Sequence, residues 1–464
     1  MADFRAYVIG NLARMAPRYL PFADVATPDL PLARLLRLSL FQISVGMALV
    51  LLVGTLNRVM IVELKLSAAL VGVMLALPLV FAPLRALMGY RSDVHRSALG
   101  WRRVPFIWKG TMLQFGGFAI MPFALLVLSG YGEAVDAPFW LGPLGAAIAF
   151  LLVGAGAHMV QTVGLALATD LVPEADQPRV VGLMYVTLLA GMIGSALIFG
   201  ALLEDYTPGR LIRVVQGAAV ATIVLNVVAI WKQEPRDRRR AADTTPRPEF
   251  AEAWSGLMRV PGTLRLLALV ALGTAGYGMA DVLLEPYGGE VLGMSVAQTT
   301  RLTAVMAAGG LIGIALAARV LGRGGIPLRL AALGALLGLP GFGAIILASF
   351  GTGTGLFILA VLLVGIGAGI FGHATLTATM RAAPRAQIGL ALGAWGAVQA
   401  TAAGLAVALA GILRDLIRAL PDPAHGAEGP YVAVFAIELI LLLVALATAL
   451  PLMREATRRR AAQG

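Results

Sequence analysis

Twelve apolar segments, most of them about 20 residues or longer, alternate with polar connections along this chain of 464 residues. A helix of that length crosses the hydrocarbon core of a bilayer, where only helices or closed barrels satisfy all their backbone hydrogen bonds. We therefore predict an all-α polytopic membrane protein with twelve transmembrane helices. The predicted spans are 37–60, 67–88, 105–129, 141–169, 178–203, 211–231, 264–287, 299–320, 327–350, 353–380, 385–413 and 430–453.

The composition fits a chain whose solvent is mostly lipid. Hydrophobic residues make up 59% of the chain, charged residues make up 13%, and the mean hydropathy is +0.85. These values are not those of a soluble enzyme. The net charge of +11 is spread over short connections, which favours lipid headgroups over nucleic acid as the partner of the basic residues. Because cysteine is absent, disulfides and thiolate metal sites are excluded.

A long polar connection at 232–263 divides the chain in the middle. The pattern of small and apolar residues at 151–157 recurs at 362–368, which indicates two related halves. Most Lys and Arg residues lie on the side of this connection and of both termini, so we expect both termini to be cytoplasmic. The predicted organisation is an amphipathic N-terminal segment (1–36), a six-helix half (37–231), a basic linker (232–263), a second six-helix half (264–453) and a basic tail (454–464).

The connection between the second and third spans has a distinctive spacing of Gly89, Asp93, Arg96, Arg102 and Arg103. It resembles the Gly-x-x-x-Asp-Arg-x-Gly-Arg-Arg loop between helices 2 and 3 of the major facilitator superfamily, although Val94 stands where Arg is usual. Glycine permits close helix approach and the aspartate can pair with arginine, so we expect a latch on the cytoplasmic side. The alternative is an ordinary basic loop that follows the positive-inside rule.

Two carboxylates, Asp281 and Glu285, lie one turn apart in the seventh span, near its outer end. Arg58 lies at the same depth in the first span. We predict an outer gate in which Arg58 pairs with Asp281 or Glu285. Two alternatives are plain solvation of these groups at the interface and a site for a coupling ion.

Two of the four histidines lie inside spans, each one turn after a glycine: His158 follows Gly154, and His373 follows Gly369. A helix face with a histidine beside a bare patch suits a flat macrocycle whose metal accepts an axial ligand. Mg²⁺ prefers oxygen, so Gln161 and Glu438 are competing ligands. The alternative is that each histidine donates a hydrogen bond to a neighbouring helix.

Four segments taken together, 89–93 with 100–105, 161–170, 212–217 and 281–289, carry a more specific resemblance. They resemble the bacteriochlorophyll-delivery (PucC/LhaA-like) family of light-harvesting assembly proteins, a branch of the major facilitator superfamily. The resemblance runs from about residue 18 to residue 453. It implies the major facilitator fold and a location in the bacterial inner membrane or an intracytoplasmic photosynthetic membrane.

The resemblance also implies a function. The protein would bind bacteriochlorophyll a, with carotenoid as a further candidate pigment, and deliver it to the α/β polypeptides of the core or peripheral antenna. The reaction centre–antenna complex is a further candidate partner. No family motif assigns the pigment ligand. The alternative is a secondary transporter of a small or amphipathic solute, which the nearly uncharged central zone disfavours. No catalytic acid–base set or redox motif is visible, so we expect no enzymatic activity.

Overall fold

The computed structural model describes residues 30–80, 92, 101–130, 136, 138–173, 177–234, 250–382, 388–420 and 426–461, and all of their regular secondary structure is helical. The helices are α1 (Leu32–Glu63), α2 (Ala68–Val80), α3 (Val104–Leu128), α4 (Leu141–Asp170), α5 (Gln177–Leu202), α6 (Pro208–Ile230), α7 (Phe250–Met258), α8 (Thr263–Glu290), α9 (Val296–Gly322), α10 (Pro327–Leu347), α11 (Thr354–Ala382), α12 (Ile388–Arg418) and α13 (Gly429–Ala461).

Eleven of these helices are long and apolar enough to cross a membrane, and α2 is a shorter apolar helix. Eleven of the predicted spans therefore coincide with helices of membrane-spanning length, and the second, 67–88, overlaps the shorter α2 and ends outside the described residues. The bounds differ most at the ends. α1 begins at Leu32, inside the predicted N-terminal segment, and α13 continues to Ala461, inside the predicted tail. Residues 1–29 and 81–91 lie outside the described residues.

The linker holds a helix that the sequence analysis did not predict. Leu257 of α7 is buried against Leu267 of α8 and against Ala391 and Ala394 of α12. A helix of nine residues is too short to stand out as a span. Its apolar side docks on the ends of two long helices, and this packing stabilises it. The α7 segment of the linker therefore packs against α8 and α12.

We call α1–α6 the first half and α8–α13 the second half. The distal end is the end at which α1 joins α2, and the proximal end is the end at which α1 begins. By the distribution of Lys and Arg, the proximal end is the one expected in the cytoplasm.

Glycines set the close approach of neighbouring helices within each half. A Cβ atom on Gly117 of α3 would lie 2.7 Å from the carbonyl oxygen of Ala149 in α4. In the second half, a Cβ atom on Gly309 of α9 would lie 2.4 Å from the carbonyl oxygen of Leu362 in α11. In lipid there is little hydrophobic force between helices, so such backbone contact is a main source of association.

Candidate functional site at the junction of the two halves

The two halves meet at the distal end through Asn57 of α1, whose side chain is fully buried. Its amide group donates to the carbonyl oxygens of Val282, at 3.1 Å, and of Asp281, at 3.3 Å, in α8. Pro286 has no N–H group, so the carbonyl of Val282 has no donor four residues later in its own helix. The side chain of Asn57 supplies the missing donor from the other half.

Other polar contacts lie near this one. The hydroxyl oxygens of Thr55 in α1 and Thr300 in α9 are 3.2 Å apart. In the adjoining part of the junction, the N–H group of Ala69 in α2 donates to Asp415 of α12 at 2.7 Å. This carboxylate therefore caps the first turn of a helix in the opposite half. Together these contacts close the distal end of the bundle.

Glycines let the backbones meet along the same junction. A Cβ atom on Gly54 would lie 2.1 Å from the hydroxyl oxygen of Thr303, and one on Gly411 would lie 2.2 Å from the carbonyl oxygen of Ala68. A larger residue at either position would push the halves apart.

The predicted ion pair between Arg58 and Asp281 or Glu285 is wrong. Arg58 is 4% exposed, pairs with Glu63 of its own helix, and donates to the carbonyl oxygen of Met294 at 3.1 Å. The guanidinium group therefore reaches the connection that follows α8, not the carboxylates within α8. The expected meeting of the first and seventh spans does occur, through Asn57 rather than through Arg58.

Tyr206 lies in the connection between α5 and α6, within electrostatic range of Arg58 and Glu63. Burial, with a smaller contribution from Glu63, raises the pKa of Tyr206 to about 12. Its hydroxyl group is therefore neutral near neutral pH and adds no negative charge to the distal junction.

Three carboxylates of α8 and α13 lie beside this closure. Glu285 is 4% exposed, and one of its oxygens accepts a hydrogen bond from Thr303 at 3.0 Å. Glu438 of α13 is fully buried and accepts a hydrogen bond from the N–H group of Ala280 at 2.6 Å. That contact lies at the break in α8, where one helical segment ends at Gly278 and the next begins at Ala280. Asp281, in the first turn of the second segment, is only partly buried.

The two histidines are both partly buried, one in each half: His158 in α4 and His373 in α11. The glycine one turn before each of them is not beside open space. A Cβ atom on Gly154 would lie 2.3 Å from Pro78 of α2, and one on Gly369 would lie 2.3 Å from the carbonyl oxygen of Gly310 in α9. The expectation of a bare glycine patch for a macrocycle is therefore wrong, because helix contacts fill both patches. Gln161, one turn after His158, is also partly buried.

Comparison with known proteins decides the family. The family described as PUCC protein matches residues 55–457. This chain belongs to the PUCC protein family. It is 63% identical to "Protein PucC" of Rhodobacter capsulatus over 460 residues, which cover 98% of this chain and 100% of that protein. It is 29% identical to "Bacteriochlorophyll synthase 44.5 kDa chain" of Rhodobacter capsulatus, over 92% of this chain and 97% of that protein.

Among solved structures, the fold of this PUCC-family chain resembles the crystal structure of the nucleoside transporter NupG, with a TM-score of 0.69. The two chains are 14% identical in sequence, and the match covers 90% of this chain and 99% of that chain. At this identity the likeness establishes the fold and nothing more. The predicted major-facilitator-like fold and the family resemblance are both confirmed. The protein is a multi-pass membrane protein, and its relatives place it in a bacterial membrane.

The predicted cytoplasmic latch is only partly within the described residues. Gly89, Asp93 and Arg96 lie outside them. Arg102 and Arg103 pair with Asp170 at the end of α4, at 2.6 and 3.0 Å. Both arginines thus tie the start of α3 to the end of α4, which lies in the same half.

Glu234, just after α6, completes this proximal cluster of the PUCC-family chain. Its carboxylate accepts hydrogen bonds from the N–H groups of Arg102, Arg103 and Val104 at 2.7–3.1 Å. These N–H groups open α3 and have no acceptor within the helix. The contact fixes α3 against the end of α6.

The contacts that Asn57, Asp415 and Glu234 make between elements were not predicted from the sequence. For Asn57 the sequence does contain a signal. A proline in a helix leaves the carbonyl four residues before it without a donor, so Pro286 predicts that the carbonyl of Val282 accepts a hydrogen bond from another element. It does not say which helix provides it. Asp415 and Glu234 are single acids near helix ends and have no comparable signal.

Proposed function

We propose that this protein is a membrane assembly factor that binds bacteriochlorophyll a, delivers it to light-harvesting α/β polypeptides and promotes assembly of the antenna ring, without chemical turnover. The observation that carries the proposal is membership of the PUCC protein family over residues 55–457, because that family resemblance implies pigment delivery. The name of the relative at 29% identity, "Bacteriochlorophyll synthase 44.5 kDa chain", also connects this group of proteins with the pigment.

His158 and His373 remain the pigment ligands that we propose. Each is partly exposed, one in α4 and one in α11, so the two halves would each offer one imidazole. Neutral imidazole can ligate a macrocycle metal axially. Because Pro78 and Gly310 occupy the glycine patches, the macrocycle would approach each histidine from another side of its helix.

Glu438 and Gln161 were the competing oxygen ligands. Glu438 is fully enclosed and already bonded to Ala280, which leaves no room for a macrocycle against it. Gln161 is partly exposed and stays a candidate next to His158.

A second candidate function is secondary transport of a small or amphipathic solute. Two observations favour it: the distal end is closed by contacts between the halves, and buried carboxylates lie beside that closure. Alternating access needs such a closure to open and re-form.

The deciding experiment purifies the full chain from a pigment-producing host and records its absorption spectrum together with any co-purifying antenna polypeptides. We expect bound bacteriochlorophyll, reduced in His158→Leu and in His373→Leu. Yield and thermal unfolding of the same variants from a pigment-free host control for misfolding. An unmutated protein without pigment or antenna polypeptides, but with solute uptake in proteoliposomes, would replace this proposal with the transporter.

A further inference from the structure

Glu438 is a fully buried carboxylate, and its second oxygen has no hydrogen-bond partner among the residues that the structure describes. Its first oxygen accepts the N–H of Ala280 at 2.6 Å. An isolated negative charge inside a membrane protein is costly, and such groups are found paired or bound to ions. A single backbone N–H group does not balance a whole charge.

Two carboxylates of α8 add to the negative charge in this region. Asp281 follows Ala280, the residue whose N–H bonds to Glu438, and it lies one turn before Glu285 in the same helix. Glu285 is 4% exposed, and its second oxygen also lacks a hydrogen-bond partner within the described part of the chain. Like charges repel more strongly where the dielectric constant is low. Three neighbouring acids in a buried region therefore need a positive charge close to them.

The helices packed on α13 do not supply that charge. They are α8, α10 and α12. Arg265 and Arg329 lie in the first turns of α8 and α10, at the proximal end. In α12, Arg414 and Arg418 pair with Glu290. Arg414 reaches Tyr431, seven residues before Glu438 in α13 and hence about 10 Å away along the helix.

The helices that face Glu285 do not supply a positive charge to it either. In α9 the nearest cation along the chain to Thr303 is Arg301, which pairs with Glu204. In α1 it is Arg58, which pairs with Glu63.

We propose that Glu438 binds a monovalent cation, H⁺ or Na⁺, and that the negative charges of Asp281 and Glu285 favour the bound state. Within the described residues no group of three His, Cys, Asp or Glu side chains could hold a metal ion, so the three acids do not ligate an ion together. The break in α8 adds an oxygen ligand suited to Na⁺. Because the N–H of Ala280 bonds to Glu438, the carbonyl of Gly276 loses the donor that a continuous helix would give it.

The site is connected to the contact between the halves. Glu438 holds the first residue of the helical segment Ala280–Glu290, and Asn57 of the first half holds the carbonyls of Asp281 and Val282 in the same segment. Binding or release of the cation therefore acts on the segment that closes the distal end. This inference does not depend on pigment being the cargo.

The test uses the full chain, free of pigment, with two readouts. For H⁺, infrared spectroscopy should show the carbonyl stretch of a protonated carboxyl group at neutral pH, with a shift in D₂O. For Na⁺, the unfolding temperature should rise in NaCl relative to choline chloride at equal ionic strength. Glu438→Gln should abolish the signal that the unmutated protein gives, while its amide oxygen still accepts the Ala280 N–H.

Asp205→Asn is the matched control, because the Asp205 side chain is 86% exposed and lies in a connection. It should leave both readouts unchanged. Should Glu438→Gln fail to fold, Glu285→Gln gives the same test with a smaller change in signal. An unmutated protein with neither signal overturns the proposal, and so does a signal that survives both glutamine variants.

Discussion

The side-chain amide of Asn57 donates to the carbonyl oxygen of Val282 at 3.1 Å, across the contact between the two halves. Removing it in Asn57→Leu leaves a carbonyl without a donor in a buried place. We expect a loss of about 1–3 kcal/mol in the stability of the distal closure. Disulfide cross-linking between cysteines placed at positions 55 and 300, in α1 and α9, measures this loss.

The matched control for that variant is Asn226→Leu. Asn226 is equally buried, bonds to Ser44 at 2.7 Å and to Thr111 at 3.0 Å, and lies wholly inside the first half. It should lower the unfolding temperature without changing cross-linking between the halves. Equal effects of the two variants on cross-linking would remove Asn57 from the closure.

The distal closure should be trapped by a disulfide at positions 55 and 300. The chain has no native cysteine, and the hydroxyl oxygens of Thr55 and Thr300 are 3.2 Å apart. The double variant Thr55→Cys with Thr300→Cys should therefore cross-link with mild oxidant, and each single variant should not. Limited proteolysis in the linker followed by a mobility assay on reducing and non-reducing gels detects the bond.

If the halves must separate at the distal end during function, the oxidised double variant should be inactive and should recover after reduction. Antenna accumulation in a strain that lacks the native protein is the readout. Full activity of the cross-linked protein would show that the closure is permanent.

Glu234→Ala should destabilise the proximal end of the first half. Three N–H groups, those of Arg102, Arg103 and Val104, would lose a charged acceptor. The expected cost is about 1–3 kcal/mol, read as a lower unfolding temperature. Glu234→Gln keeps one acceptor oxygen and should lose about half as much. An unfolding temperature unchanged in Glu234→Ala would mean that water replaces the carboxylate.

Gly154→Ala and Gly369→Ala should both destabilise the protein, even in a host without pigment. Each new methyl group would lie 2.3 Å from an atom of a neighbouring helix. Forced overpacking of this kind costs about 1–3 kcal/mol. Gly116→Ala is the control, since nothing lies within 4 Å of its Cβ position. Variants that fold normally and lose only pigment would restore the glycine patches as a pigment surface.

Much of the fold follows from the sequence. Runs of about 20 apolar residues give the helices, because lipid leaves the backbone no other hydrogen-bonding partner. The same reasoning located Asp281, Glu285 and Glu438 as intramembrane acids, and it predicted that the first and seventh spans meet. The short helix α7 was not predicted from the sequence, because nine residues carry too weak a periodic signal.

The tertiary structure alone decided which side chains meet. Arg58 could reach acids on either side of it, and the sequence cannot rank a partner five residues away, Glu63, against one in another helix. Likewise the glycines beside His158 and His373 could face a ligand or a helix, and only the packing puts Pro78 and Gly310 there. The sequence determines helices locally, through hydropathy and backbone hydrogen bonding. Contacts between helices depend on rotations and depths that no single segment encodes.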